Sequence, residues 1–269
     1  MLLLLFGFSN LILFLFSIYF LLDIKRIKKM NFTLDFFTRK ILDDIKPILI
    51  IIIVVLIHLI EVNIIDPYVT SWVNYDYADV IINLENGFVY NFTNYWVPGL
   101  IHFFVIIYIF VYIFSLWFAP LYFILADKKQ SLKTLAYGLL IIYMIALPFY
   151  LFLPVTNVYT YYNNPSAFET VLSSIDNFFY TTTTTNNCLP SLHTAMTILI
   201  AYCFSLTGNK KLKYFGIIIA ITVIISVVYL SIHWFIDVFI GIILSIGVIF
   251  LLIPYYQYDY QERDKEMLY

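Results

Sequence analysis

The chain has 269 residues, 62% of them hydrophobic and only 12% charged, with a formal net charge of −2 and a mean hydropathy of +0.90. Soluble domains carry about 25% charged residues, so this composition excludes an ordinary soluble fold and places the chain among integral membrane proteins. The two cysteines, Cys188 and Cys203, are too few for a disulfide framework; a charge this small names no partner, and a nucleic-acid partner is not expected.

Seven apolar runs approach the roughly 20 residues that cross a hydrocarbon core of about 30 Å. The first, 2–22, has no basic n-region and no small-residue cleavage site, and a basic cluster follows it, so it is expected to be a retained anchor. Residues 23–46 are polar and can hold a short interfacial helix through Phe36, Phe37 and Ile41. The second span is expected at 47–65, begun by Pro47, a favourable first-turn residue. A Tyr-, Asn- and Trp-rich loop, 66–98, follows. Spans three and four are expected at 99–126 and 134–153, and a second long loop runs from Pro154 to Leu189. The last three spans are expected at 190–207, 214–231 and 235–254, before a charged tail. The predicted fold is therefore all-α: a polytopic membrane helix bundle of about seven transmembrane helices in one domain over 1–269.

Charge placement predicts its orientation. All 15 Lys and Arg fall in alternate connections, within 23–46, 127–133, 208–214 and the tail, and none falls in 66–98, 154–189 or 232–234. The positive-inside rule then puts the C-terminus in the cytoplasm and the N-terminus outside. The outer loops carry only acids, Asp66, Asp76, Asp79, Glu85, Glu169 and Asp176, and Trp72, Trp96 and Trp234 are expected at the outer interface. Of the two Asn-x-Thr sequons, Asn31-Phe32-Thr33 is cytoplasmic in this topology and Asn91-Phe92-Thr93 is outside.

Two short polar clusters end apolar runs on that outer side: Asn186-Asn187-Cys188-Leu189-Pro190-Ser191-Leu192-His193 and His233-Trp234-Phe235-Ile236-Asp237. Ionisable residues at membrane depth are costly and mark function by default. A histidine held by a carboxylate can act as nucleophile or base, and a second histidine can protonate a departing oxygen. Pro190 fits the first turn of a helix, and the amides near Ser191 and Leu192 would then offer an anion site. Each of these residues also has a bland reading, as a packed or interfacial polar group. His58 and Glu61, three apart on one face, read as structural hydrogen bonding, with a metal site of His58, Glu61 and His102 as the sharper alternative.

Pro190-Ser191-Leu192-His193, followed 40 residues later by His233-x-x-x-Asp237 at the start of a span, resembles the type-2 phosphatidic acid phosphatase (PAP2) superfamily. It looks most like the branch containing inositol-phosphorylceramide synthases, and the Leu-Pro-Val-Thr-Asn segment within 148–159 is weakly similar to the same branch. The resemblance is specific over about 186–241 and only topological over about 48–185. It implies a PAP2-like six-helix core over 48–254, with 2–22 as an extra N-terminal helix. It implies a lipid phosphatase or phosphotransferase working through a phosphohistidine, without metal or cofactor, at the extracytoplasmic face. By position, His233 would be the nucleophile, Asp237 its orienting partner and His193 the acid, with Ser191, Asn186, Asn187 and Leu192 as substrate contacts. A lipid phosphate is the expected substrate, and a prokaryotic plasma membrane the expected location.

The sequence also departs from that pattern. The family's Lys-x6-Arg-Pro motif is absent, and Ser226 is followed by Val227 where Arg is usual. Phosphate charge must then be met by histidines, amides, hydroxyls and a helix dipole of about half a charge. The alternatives are a non-catalytic or transporter-like protein with a degenerate phosphate site, or a metal-dependent hydrolase.

Overall fold

A backbone in hydrocarbon has no water to bond to, so long runs of Ile, Leu, Phe and Val satisfy their own amides as helices. A computed structural model describes residues 2–21, 34–93, 95–171 and 183–266, with side chains over 7–17, 38–93, 95–171 and 183–254. Lys25 to Lys29, the sequon at 31–33, Asp176, positions 181 and 182 of the threonine run, and the side chains of Phe36 and Phe37 lie outside the described residues.

The chain forms α1 (Leu2–Leu21), α2 (Leu34–Asp43), α3 (Ile45–Val73), α4 (Ala78–Glu85), α5 (Tyr90–Thr93), α6 (Pro98–Leu125), α7 (Lys129–Phe152), α8 (Val158–Tyr161), α9 (Ala167–Val171), α10 (Leu192–Ser205), α11 (Lys210–Tyr229) and α12 (Phe235–Glu266). Five helices are long and apolar enough to cross a membrane: α3, α6, α7, α11 and Phe235–Pro254 of α12. Shorter apolar helices lie within α1 and at α10. Among the described residues there is no β-strand, and the molecule is an all-α membrane bundle.

Three differences from the expected elements shape the molecule. The second span does not stop at 65 but continues to Val73. It passes through a π-helical segment, Glu61–Ile65, directly before Pro67; the wider turn accommodates a residue with no amide to give. The loop 66–98 contains α4 and α5. The fifth span is a helix of 14 residues, about 21 Å long, and Pro190 precedes it instead of opening it. The Leu189–Pro190 bond is cis, and Ser191 is the N-cap, its Oγ accepting from the Thr194 amide at 3.4 Å.

Helix α10 lies at the centre, packed on α7, α11 and α12. Two glycines let it sit close. A Cβ on Gly216 would meet Phe204 Cδ2 at 2.8 Å and the Ala201 backbone at 3.0 Å. A Cβ on Gly241 would lie 2.6 Å from the Ser191 carbonyl oxygen. Aromatic and aliphatic side chains including Phe114, Phe118, Leu199 and Phe204 fill the interior toward one end of the bundle. At that end the Lys128 ammonium donates to the Thr207 carbonyl at 2.8 Å, joining two of the lysine-bearing turns.

The opposite end is capped. Ala78, Ile81, Val89, Val155, Val158, Cys188 and Trp234 form a separate small core there. Trp234 is fully buried in it and donates to the Thr156 carbonyl at 2.8 Å, so it is a core residue and not the interfacial aromatic expected from its position. Trp72 is 79% exposed, as an interfacial aromatic would be.

Candidate active site

The segment 185–191 is held in place before any chemistry is considered. The Val155 amide donates to the Asn186 carbonyl at 2.8 Å, and the Asn157 amide to the Thr185 carbonyl at 2.7 Å. The buried Tyr150 hydroxyl donates to the Pro190 carbonyl at 2.7 Å, and the Ser191 amide to the Asp237 carbonyl at 3.0 Å. The Leu-Pro-Val-Thr-Asn stretch singled out in the sequence is thus the direct neighbour of the first polar cluster.

These constraints bring His193, His233 and Asp237 together. His193 Nδ1 lies 3.1 Å from His233 Nε2, and His233 Nδ1 lies 3.5 Å from Asp237 Oδ2. Asp237 is fully buried and its Oδ2 also accepts from the Trp234 amide at 2.9 Å, the reach-back of a third-position acid in a helix first turn. The next free amide of α12, on Ile236, donates to Glu85 Oε1 at 2.7 Å, a carboxylate brought from α4. Burial pushes the Glu85 carboxyl up, the Ile236 amide opposes this, and Asp237 adds to it. The start of α12 is therefore occupied by two carboxylates, which leaves α10 as the helix start beside the histidines.

The four residues expected to contact substrate divide. Asn187 and Leu192 line a cavity of about 500 Å³ together with His193 and His233. Ser191 is fully buried as the cap of α10. Asn186 points to α3, its amide donating to Thr70 Oγ1 at 2.9 Å and Asp66 Oδ1 at 3.3 Å.

Four residues in or directly behind the cavity wall, Glu61, His58, Tyr143 and Tyr108, were not assigned to the site from the sequence. Glu61, fully buried in the π-helical segment of α3, accepts from the Asn187 amide at 2.7 Å and the Tyr143 hydroxyl at 3.2 Å. His58 Nδ1 lies 3.7 Å from Glu61 Oε2, the oxygen that Tyr143 bonds, and His58, Tyr143 and Asn187 all line the cavity. An ionised carboxylate only accepts, so Glu61 turns the Asn187 amide toward itself. That leaves the buried Asn187 Oδ1 without a hydrogen-bond partner among the described residues. Tyr108, in a second π-helical segment (Ile107–Tyr112 of α6), places its hydroxyl 2.7 Å from His193 Nε2. Helical periodicity carries no signal for such contacts; the nearest cue was a Glu at membrane depth.

Cys188, His233 and Asp237 offer ligand atoms within 4.8 Å of one another and could hold a metal ion. Burial pushes the Cys188 thiol well up, however, and it donates weakly to the Ile232 carbonyl at 3.5 Å. The expected alternative of His58, Glu61 and His102 does not form such a group among the described residues: His102 is exposed, bonded through Nδ1 to the Pro98 carbonyl at 2.5 Å.

Comparison with known proteins gives one family match. Residues 169–261 match the family model of the PAP2 superfamily. The match makes that part of the chain similar to the superfamily. It covers α10, α11, most of α12 and the three converging residues, and leaves outside it α3, α6 and α7, which form most of the rest of the cavity wall. No curated protein and no solved structure matches the chain.

Proposed function

We propose that this chain is a PAP2-type enzyme that removes or transfers the phosphate of a membrane lipid through a phosphohistidine. The supporting observation is the shape of the cavity. Its polar end holds His193, His233, His58 and Asn187, and its other residues, Ile51, Val54, Val55, Ile113, Leu116 and Leu139, continue down apolar helix faces toward the middle of the bundle. One wall is α3 and the other α6. Among the described residues α3 packs on α7 and only weakly on α6, while α1 packs on α6, and in this reading the cleft between these walls admits a lipid from the bilayer. An apolar cleft ending in a cluster of histidines fits a phosphate carried on a hydrocarbon chain.

In this reading His233 Nε2 attacks phosphorus while Asp237 holds the Nδ1 proton, and His193 protonates the oxygen that leaves. Water or a second alcohol then takes the phosphoryl group from His233. Among the described residues no Lys or Arg lines the cavity. Phosphate charge falls to the histidines, and His58, with Glu61 behind it, is the third of them. The bare Asn187 carbonyl suits a hydroxyl of the substrate or acceptor, and Leu192 the start of the chain. A PAP2-like core over 48–254, with 2–22 as an added anchor, and an extracytoplasmic site opposite the lysine-bearing turns complete the proposal.

The test is turnover by the purified protein in micelles containing a radiolabelled lipid phosphate, with products resolved into free phosphate and transferred phosphate. An acid-labile, base-stable label on the protein, lost in His233→Ala, is expected, as is full activity in EDTA. Activity abolished by EDTA and restored by Zn²⁺ would sink the histidine mechanism and favour metal hydrolysis through the Cys188 group.

A further inference from the structure

The two reacting histidines have different partners. His233 is backed by a carboxylate at 3.5 Å and His193 by a phenol at 2.7 Å. With Asp237 ionised and both rings neutral, the nearby carboxylate favours one order of donors and acceptors, although His233 Nδ1 makes no full hydrogen bond at 3.5 Å in this structure. A carboxylate accepts, so His233 carries its proton on Nδ1 and leaves Nε2 bare. The bare Nε2 accepts from His193 Nδ1–H across 3.1 Å. His193 Nε2 is then bare in turn and accepts the Tyr108 hydroxyl proton. Tyr108 is held for this by packing: it is 1% exposed, and its ring stacks against Phe168 and Tyr112.

We propose that Tyr108 is a positioning residue that makes His193 the proton donor of the pair. This rests on the phosphohistidine reading above. A carboxylate stabilises the imidazolium more than the imidazole, which suits a ring that must attack and then carry a phosphoryl group. A phenol serves both forms of its partner: it donates to bare Nε2 and, by rotating, accepts from Nε2–H. His193 can therefore gain and lose a proton without losing its orientation. Binding of the anionic phosphate draws a proton from solvent onto His193, whose Nε2–H then donates to the Tyr108 oxygen. As His233 Nε2 bonds phosphorus and the phosphorus–oxygen bond breaks, the Nδ1 proton of His193 passes to the leaving oxygen. Nδ1 is then bare, facing the incoming water or alcohol. It takes the acceptor's own proton as the acceptor oxygen bonds phosphorus and the phosphorus–nitrogen bond breaks, and the proton first drawn from solvent returns to solvent when the phosphate product leaves. Tyr108 stays neutral throughout.

Tyr108→Phe keeps the ring stacks and removes only the hydroxyl. Its kcat/KM, which reports the steps up to formation of the phosphohistidine, is compared with wild type on an alkyl lipid phosphate, whose leaving oxygen needs a proton, and on 4-nitrophenyl phosphate, whose leaving group does not. We expect a loss of about 10- to 100-fold on the alkyl ester and less than about 3-fold on the aryl ester. His193→Ala is expected to show the same asymmetry more strongly. An equal loss on both esters would make Tyr108 merely structural, and no loss on either would remove it from the mechanism; both overturn the proposal. A wild-type protein that turns over neither ester overturns the phosphohistidine reading itself, and this inference with it. A measurement independent of turnover is the ¹⁵N spectrum of labelled histidine. Wild type should show His193 protonated at Nδ1 only, and Tyr108→Phe should shift its Nε2 signal; a mainly Nε2–H His193 in the resting wild type overturns the ordering.

Discussion

Two walls of the same cavity each carry a histidine–carboxylate pair, and they are built differently. On the α10–α12 wall, His233 and Asp237 are both buried, clamped by the Ser191–Asp237 backbone bond and the close approach at Gly241. On the α3 wall, His58 is one-third exposed beside a fully buried Glu61, and α3 is the least buried of the five long apolar helices. The first pair is fixed by the interior, and the second by a single carboxylate with two further donors. The difference separates a rigid wall suited to making and breaking bonds from a loosely held wall suited to admitting and neutralising a charged headgroup.

The comparison breaks most completely at its rigid side. His233→Ala is expected to lower kcat by about 10³-fold or more, and Asp237→Asn by about 10²- to 10³-fold, with substrate affinity little changed; steady-state kinetics on the lipid substrate check this. Gly241→Ala tests rigidity without touching a reacting group. The added methyl must push the Ser191 carbonyl away, so stability should drop by about 1–3 kcal/mol, seen as a lower midpoint in thermal unfolding, and kcat should fall by about 10-fold. On the looser wall, Glu61→Gln keeps shape but removes charge. It should raise KM by about 10-fold and leave kcat within about 3-fold; a kcat loss as deep as that of Asp237→Asn would mean that the two walls do the same job. The smallest effect is expected from Val55→Phe, which narrows the apolar cleft. Preference should move toward shorter acyl chains by a few-fold, about what one or two methylenes are worth, in a competition assay between chain lengths.

The spans and the two polar clusters were legible in the sequence because hydropathy over 20 residues and the sidedness of Lys and Arg are summed signals. What periodicity could not place were contacts made across the bundle. A π-helical turn inserts a residue and rotates the following face by about 100°, and this happens at Glu61–Ile65 and at Ile107–Tyr112. Both segments hold residues that reach the site, so Glu61 read as a structural partner of His58, and Tyr108 read only as an aromatic in a span. Trp234 was misplaced for another reason: α4, α8 and the 185–188 segment cover it, and their packing is invisible to a reading that treats 66–98 and 154–189 as surface loops.

The shortness of α10 has a consequence for the membrane itself. At about 21 Å it falls some 9 Å short of a typical hydrocarbon core, and the missing thickness is made up by the cap over His193 and Trp234. In the proposed orientation the protein thus keeps its reacting nitrogens below the plane in which lipid phosphates normally float. On the proposed function, a substrate then has to be drawn down out of the headgroup layer to meet them. On the proposed function, turnover should therefore depend on the acyl length of the host membrane, which sets how far a headgroup must descend to reach the site.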